Sequence, residues 1–158
     1  MDESNNPHLD SIKVWDTISQ RSRQQGRTGV FYHERLNHYY QFMVPPHLKV
    51  LELGCGHGDL LASLNPRVGV GVDFSNDMLQ CAGRSHPQLF FVRANAQFPC
   101  FKEKFDIIIL SDLINFLWDV QSAFERLLPL CHHRTRIILN FFNNMWQLPI
   151  DIARRFGL

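Results

Sequence analysis

Five short apolar runs that alternate with helical patterns constrain the fold of this 158-residue chain more than any other feature. The runs are LKVLEL (48–53), RVGVGVD (67–73), QLFFVRA (88–94), KFDIIILSD (104–112) and RTRIILNFF (134–142). Nearly continuous apolar runs are typical of strands that are buried on both faces, and such strands form parallel sheets. The alternation with helices therefore predicts a doubly wound α/β domain with a mostly parallel sheet.

Helical patterns fill the spaces between these runs and also precede them. Two N-terminal helices are predicted over 10–24 and 30–43, and the sequence VPP at 44–46 ends the second because proline cannot continue the hydrogen-bond ladder. Further helices are predicted over 59–64, 75–86, 118–131 and 145–158. Ser75 is a favourable N-cap for the helix that it begins. One domain, 1–158, is expected, with residues 1–46 preceding an α/β core at 47–158.

Composition limits the classes of partner and compartment. The formal net charge is only +1, so charge gives no argument for a nucleic-acid partner. The N-terminal residues are polar and acidic, which is not typical of a signal peptide, and the longest apolar run is too short to span a bilayer. A cytoplasmic protein with no membrane span is expected.

Four cysteines, at positions 55, 81, 100 and 131, show no C-x-x-C spacing, so no metal site is predicted and buried or half-buried free thiols are expected. The sequence CHH at 131–133 resembles a ligand cluster. Adjacent residues at one helix end diverge in direction, so this segment is interpreted as a helix terminus with a favourable charge position.

The stretch LELGCGHGDLL at 51–61 places three glycines directly after the first predicted strand. Asp73 ends the second strand, where a carboxylate can accept hydrogen bonds from both hydroxyls of a ribose. A dinucleotide turn would need a third glycine at position 59, but Asp59 stands there, and its carboxylate would repel a pyrophosphate. A phosphate-binding P-loop motif is also missing. A cofactor with a ribose and no phosphate is favoured, and S-adenosylmethionine is the common one.

Four strand ends together resemble class I S-adenosylmethionine-dependent methyltransferases. LELGCGHGDLL is similar to their first motif, E/D-x-G-x-G-x-G, and GVDFSNDML to their second. RANAQ corresponds to the end of the third strand, with Asn95 and Ala96 where many members have Asp-Ala, and FDIIILSDLINFLWD corresponds to the fourth. The resemblance covers about residues 50–142 and implies a Rossmann-like sheet of order 3-2-1-4-5.

The resemblance also implies a set of site residues. The cofactor-binding residues would be Glu52, Gly54, Cys55, Gly56, Gly58, Asp73, Phe74, Met78, Asn95, Ala96 and Ser111. Glu52 would meet the amino end of the methionine moiety or only brace the turn, whereas the His57 side chain is expected to be exposed. Asp112 would be a base for an oxygen acceptor, or else a helix cap or loop brace.

Other residues around the implied site keep two interpretations each. Tyr32, Arg35 and Tyr39 lie on the helix that family members fold over the cofactor as a lid, although packing explains any one of them as well. Asn115 and Trp118 would line the acceptor pocket, but aromatic residues at such positions are more often in the core.

The implied activity is methyl transfer to a small-molecule, glycan or lipid-linked acceptor. SDLI at 111–114 differs from the [DNS]-P-P-[YF] motif of enzymes that methylate nucleobase amines, so that acceptor is not expected. The flanking sequences resemble a bacterial subgroup that is sometimes joined to glycosyltransferase domains, which suggests a glycosyltransferase-linked pathway.

The alternative interpretation is a truncated or degenerate module that binds the cofactor or a partner without turnover. Family members normally add a sixth and a seventh strand, and the sequence shows patterns for only five. The core is therefore expected to be incomplete at its C-terminus, with an open edge on the fifth strand that could pair with another chain to form an oligomer.

Overall fold

The computed structural model describes residues 27–99 and 101–141. Its helices are α1 (Arg27–Met43), α2 (Asp59–Ser63), α3 (Asn76–Ser85) and α4 (Val120–Leu127), with 3₁₀ turns at Ile114–Phe116 and Leu128–Leu130. Its strands are β1 (Lys49–Leu53), β2 (Val68–Asp73), β3 (Phe90–Arg93), β4 (Phe105–Ser111) and β5 (Cys131–Asn140). The helices predicted over 10–24 and 145–158 lie outside the described residues, as does Cys100.

The described strands form one parallel sheet in the order β3-β2-β1-β4-β5, which confirms the predicted fold class and strand order. Because all five strands run in the same direction, their carboxyl ends share one edge of the sheet. At that edge Asp73 pairs with Arg93, and Ser111 pairs with Asn140. The residues that follow the strands are thereby brought together.

The three central strands, β1, β2 and β4, are buried on both faces, as their continuous apolar runs predict. The outer strands β3 and β5 have no fully buried residue, so the same expectation is wrong for them. Successive side chains of a strand point to opposite faces, and β1 follows this rule. Val50 packs with Tyr40 of α1 and Leu61 of α2 in one buried cluster, while Leu51 lies in a second buried cluster with Leu127 of α4. Burial of apolar side chains on both faces makes the centre of the sheet a rigid support for its edge.

The segment Cys131–His133 is the beginning of β5, so its interpretation as a helix terminus is wrong. Helix α4 ends at Leu127, and a 3₁₀ turn containing Pro129 separates it from the strand, since proline provides no N–H to continue the helix. Cys131 then pairs with Phe105 of β4, at a point where the register between these strands shifts. The strand therefore begins three residues earlier than the apolar run predicts.

The predictions for the N-cap of α3 and for the cysteines have different outcomes. Ser75 is the N-cap, and its hydroxyl accepts a hydrogen bond from the Met78 N–H, as predicted. Cys55 is buried and Cys131 half-buried, but Cys81 is exposed, contrary to expectation. The reason is that Leu79 and Ala82 occupy the buried face of this amphipathic helix.

Within residues 27–99 and 101–141, no three His, Cys, Asp or Glu side chains stand together in a way that could hold a metal ion. A search of the same residues finds no helix with both the length and the apolar character needed to cross a membrane.

Candidate functional site

The turn between β1 and α2 is built from three glycines with left-handed backbone angles. Gly54, Gly56 and Gly58 have φ values of 74°, 52° and 75°. The N–H groups of Gly54 and Cys55 both donate to the Val72 carbonyl, at 2.7 and 3.0 Å, which holds the turn against the end of β2. A Cβ atom on Gly58 would lie only 2.7 Å from the Phe91 ring. Both the backbone angle and the lack of space therefore require glycine there.

The Asp73 carboxylate is attached to this turn. It is 8% exposed, and it accepts hydrogen bonds from the Gly56 N–H and the Ser75 N–H, both at 2.9 Å. An ionised carboxylate has about four lone-pair positions, so two remain for further donors. Asp73 can therefore brace the glycine turn and still accept hydrogen bonds from a ligand.

Open space lies beside Gly56, the middle glycine of the turn. A Cβ atom built there would have one neighbour within 4 Å, the Met78 sulfur at 3.7 Å. Cys55, by contrast, is buried, and its side chain packs under the turn next to Gly71 of β2. The exposed surface of the turn is thus mainly backbone, which a ligand can approach closely.

Glu52 on β1 is a buried acid that is only partly satisfied. It is 3% exposed, and its Oε2 atom has no hydrogen-bond partner among the described residues. Burial raises the pKa of Glu52 to about 8, against the lowering effect of a backbone hydrogen bond from Leu61 in the first turn of α2. The negative charges of Asp73 and Asp59 raise it further. Glu52 braces α2 and also keeps one unused oxygen.

The ends of β2 and β3 place the remaining cofactor-site candidates near Asp73. The Phe74 carbonyl accepts a hydrogen bond from Arg93 Nε at 3.1 Å, and Phe74 itself is half-buried. Asn95 is exposed, and its Oδ1 accepts from the Gln97 N–H at 2.9 Å, while Ala96 packs against the core. One lone pair of the Asn95 oxygen remains for a ligand.

Asp112, directly after β4, lies at the centre of a cluster of polar side chains. The Tyr32 hydroxyl of α1 lies 2.9 Å from its Oδ1 and 3.1 Å from its Oδ2. Asn140, the last residue of β5, donates from Nδ2 to Asp112 Oδ1 at 2.5 Å and to the Tyr32 hydroxyl at 3.3 Å. The Tyr40 hydroxyl donates to Asn140 Oδ1 at 2.8 Å. These contacts join α1 to the ends of β4 and β5.

The two tyrosines of this cluster remain protonated hydrogen-bond donors. Burial, with a smaller contribution from the Asp112 charge, raises the pKa of Tyr32 to about 12. Burial also raises the pKa of Tyr40 well above its ordinary value, and the nearby carboxyl groups of Glu52 and Asp112 add to this effect. Ser111 is half-buried beside the cluster, opposite Asn140 in the β4–β5 register.

Among the lid candidates, only Tyr32 contacts Asp112. The Arg35 guanidinium lies over the Phe31 ring at 5.9 Å, and Tyr39 packs edge-on against its neighbour His38. Both Arg35 and Tyr39 are exposed on α1.

Two further expectations about side chains change with the structure. Trp118 is 62% exposed, so its interpretation as a core residue is wrong. It precedes Asp119, the N-cap of α4, and this position keeps it at the surface. His57 is half-buried rather than exposed, because it lies within the compact glycine turn. Asn115 is exposed, and its place at the acceptor pocket stays a prediction.

Sequence reasoning missed two residues of the polar cluster, Tyr40 and Asn140. Asn140 could have been found, since it is a polar residue close to the end of the fifth apolar run, just as Asp73 and Ser111 lie at or close to the ends of the second and fourth. Tyr40 gives no such signal, because a tyrosine on an amphipathic helix looks like any other apolar residue of its buried face.

A family of known proteins matches this arrangement. The sequence model described as "Methyltransferase domain" matches residues 50–133, which cover β1 to the beginning of β5 and include the glycine turn, Asp73 and Asp112. The chain belongs to this methyltransferase domain family. The comparison with curated proteins gives no match.

Solved structures of methyltransferases share the fold. A TehB-like S-adenosylmethionine-dependent methyltransferase from Corynebacterium glutamicum aligns with a TM-score of 0.61 at 19% identity, over 75% of this chain and 70% of that one. An S-adenosylmethionine-dependent methyltransferase from Mesorhizobium loti gives 0.62 at 20% identity, over 68% and 54%. One from Geobacter sulfurreducens, solved with S-adenosylhomocysteine, gives 0.55 at 18% identity, over 67% and 45%. This methyltransferase-family chain thus spans about half the length of the last two structures.

Proposed function

We propose that this chain binds S-adenosylmethionine on the turn between β1 and α2 and transfers its methyl group to an acceptor beside Asp112. The observation that carries the proposal is the hydrogen bond from the Gly56 N–H to the Asp73 carboxylate. It places a carboxylate that can bind a ribose directly beside a turn whose exposed surface is mainly backbone. Membership of the methyltransferase domain family supports the reaction type.

The residues at the glycine turn fit such a donor. Asp73 keeps two lone-pair positions for the ribose hydroxyls. A Cβ atom on Gly56 would have only the Met78 sulfur within 4 Å, so there is room for a ligand beside this glycine. Asn95 can offer its amide oxygen to an adenine amino group. The unused Oε2 of Glu52 provides a buried polar atom for the methionine end. When bound, the cofactor supplies a methyl group activated by a positively charged sulfur.

Asp112 is the residue best placed to act on the acceptor. Methyl transfer requires an acceptor atom held in line with the methyl group and, for a hydroxyl, a group that takes its proton. Asp112 directly follows β4, and Tyr32 and Asn140 hold its carboxylate in place. Among the described residues, Oδ2 accepts a hydrogen bond from the Tyr32 hydroxyl alone. We propose a small-molecule, glycan or lipid-linked acceptor, in agreement with the flanking sequences.

Calorimetric titration with S-adenosylhomocysteine tests the donor part of this proposal. We expect the wild-type chain to bind it, and Asp73→Asn to bind at least tenfold more weakly, because a hydrogen bond to a charged group contributes roughly 1.5–3 kcal/mol. Asp77→Asn, on the exposed surface of α3, is the matched control and should bind like the wild type.

A loss of affinity in Asp73→Asn could also arise from a loosened glycine turn. The 2′-deoxy analogue of S-adenosylhomocysteine separates the two causes. If Asp73 contacts the ribose, removing the 2′-hydroxyl should weaken binding to the wild type more than to Asp73→Asn. Equal losses in the two proteins would contradict the ribose contact, and a folded wild-type chain that does not bind S-adenosylhomocysteine would overturn the proposed function.

A further inference from the structure

The polar cluster around Asp112 has a fixed direction of hydrogen bonding. Tyr40, which is 1% exposed, donates its hydroxyl hydrogen to Asn140 Oδ1 at 2.8 Å. This contact directs the amide nitrogen of Asn140 toward Asp112 Oδ1, at 2.5 Å. A rotated amide would place its oxygen against the carboxylate, where two acceptors would face each other. Asp112 is therefore the acceptor at this site, and Asn140 is the donor.

The Tyr32 hydroxyl oxygen forms hydrogen bonds with both Asp112 and Asn140. Its hydroxyl donates toward the Asp112 carboxylate, at 2.9 and 3.1 Å, and accepts from Asn140 Nδ2 at 3.3 Å. In contrast to Tyr40, Tyr32 is 41% exposed. It is the member of the cluster that a ligand from solvent can replace without unpacking the core.

A group that replaces the Tyr32 hydroxyl must donate to Asp112 and accept from Asn140 at the same atom. A protonated amine has donors only, so its hydrogens would face the Asn140 amide hydrogens. A carbonyl or carboxylate oxygen has acceptors only, so it would face the Asp112 carboxylate. A hydroxyl has one donor and two acceptor positions on one oxygen, and it satisfies both neighbours.

The backbone at Asp112 supports a functional use of this arrangement. Asp112 is a non-glycine residue with φ of 52°. Such a conformation costs free energy and persists only where the surrounding structure holds it. Here the side-chain contacts with Tyr32 and Asn140 hold the carboxylate at the edge of the sheet, between α1 and β5.

We infer that Asp112 and Asn140 form an acceptor subsite that selects a hydroxyl group, of an alcohol or a phenol, and that the Tyr32 hydroxyl occupies this subsite in the structure. Tyr40 is a positioning residue that acts through the Asn140 amide. The inference rests on the proposed function and narrows it from methyl transfer in general to transfer onto oxygen.

Complementation of a Tyr32→Ala variant tests the subsite. The substitution keeps Cβ, so the part removed corresponds to phenol. Ligand-observed NMR with the full 158-residue chain should detect binding of phenol that is at least about tenfold tighter than binding of benzene, because benzene cannot pair with Asp112 or Asn140. Aniline, whose nitrogen is both a weaker donor and a poorer acceptor than the phenol oxygen, should bind more weakly than phenol. If Tyr32→Ala does not fold, Tyr32→Ser provides the same opening.

Two further variants make the result specific. Tyr39→Ala has the same substitution on the same helix but leaves Tyr32 in place, so it should show no preference for phenol. Asn140→Leu in the Tyr32→Ala background removes the donor, and the preference for phenol over aniline should become clearly smaller, since only the difference in donation to Asp112 then remains. Phenol binding that is no tighter than benzene binding, or a preference for phenol over aniline that is the same with and without Asn140→Leu, would overturn the inference.

The same samples are titrated with S-adenosylhomocysteine, which separates this inference from the proposed function. If S-adenosylhomocysteine binds and phenol shows no preference, the hydroxyl subsite is wrong and the donor site stands. If S-adenosylhomocysteine does not bind to the folded wild type, the proposed function is wrong, and with it the role given to the subsite.

Discussion

Glu52 and Asp112 are both carboxyl groups of the candidate site, but they have opposite surroundings. Glu52 lies in the middle of β1 with one oxygen that has no partner among the described residues, and burial favours its neutral form. Asp112 lies at the end of β4 and receives hydrogen bonds from Tyr32 and Asn140. Carboxyl groups in such different environments suit different tasks, the one as a neutral polar group inside the fold and the other as an acceptor at its edge.

The raised pKa of Glu52 predicts that the protein loses stability as pH rises. Between about 4.5 and about 8 the unfolded chain releases the proton of Glu52 while the folded chain keeps it. The free energy of unfolding should then fall by roughly 1.4 kcal/mol per pH unit from this group alone. Glu52→Gln has no ionisable side chain at this position, so its free energy of unfolding should not show this decrease.

Urea unfolding at pH 5 and pH 8 measures the effect. The stability of Glu52→Gln relative to the wild type should rise from pH 5 to pH 8. Glu34→Gln, on the exposed surface of α1, is the matched control for removing a carboxyl group. A Glu52→Gln difference that stays constant with pH would show that the buried carboxyl group is already ionised at pH 5.

At the scale of elements, the turn between β1 and α2 depends on glycine where α3 does not. Gly58 combines a φ of 75° with a Cβ position only 2.7 Å from the Phe91 ring. Gly83, inside α3, has no atom within 4 Å of its Cβ position. The same change of one hydrogen to a methyl group should therefore have opposite signs at these two positions.

We expect Gly58→Ala to destabilise the fold by about 1–3 kcal/mol, through backbone strain and the contact with Phe91. Gly83→Ala should stabilise it by roughly 0.5–1 kcal/mol, because alanine is the better residue in a helix. Urea denaturation of the two variants measures both values. If Gly58→Ala is as stable as the wild type, the turn does not need the left-handed angle.

The same elements show what the sequence could predict and what it could not. Apolar runs and glycines place all five strands within three residues of their observed ends. Burial on both faces explains the continuous pattern of β1, β2 and β4, whereas β3 and β5 have apolar runs without full burial. The apolar run does not predict the beginning of β5 at Cys131, because His132 and His133 are polar and only the pairing of Cys131 with Phe105 of β4 makes this segment part of the strand.

At the site, the glycines and Asp73 could be recognised from their positions at strand ends. The partners of Asp112 could not be recognised in the same way. Tyr40 and Asn140 are 100 residues apart in the chain, and only the packing of α1 across β5 brings them together. A contact of that kind depends on helix placement, which local sequence patterns do not encode.

On the scale of the whole molecule, the carboxyl ends and the amino ends of the strands carry two separate groups of contacts. The carboxyl edge carries the candidate site, and the amino edge carries a separate group of contacts centred on Asp106. That carboxylate accepts from the Lys49 N–H at 2.8 Å and lies 3.1 Å from His132 Nε2. The Arg134 N–H donates to His132 Nδ1, so Nε2 carries the hydrogen and donates a hydrogen bond to Asp106. These contacts join β1, β4 and β5 away from the site.

Changes at the amino edge should therefore alter stability without altering ligand affinity. We expect Asp106→Ala to lower the free energy of unfolding by about 1–2 kcal/mol, since it leaves the Lys49 N–H and His132 without their acceptor. S-adenosylhomocysteine affinity, measured by calorimetry well below the melting temperature, should stay within about twofold of the wild type. A tenfold loss of affinity would show that the two edges are coupled.

Helix α1 contains all three tyrosines of the chain, Tyr32, Tyr39 and Tyr40. Two of them, Tyr32 and Tyr40, have hydroxyls that reach the ends of β4 and β5 and pKa values raised by burial. Ionised tyrosine absorbs ultraviolet light at longer wavelengths than its neutral form, so the whole tyrosinate spectrum of the protein originates from one helix. Release of α1 from the sheet would let these phenols ionise at lower pH. The absorbance of ionised tyrosine therefore reports whether α1 is packed on the sheet, without an added dye.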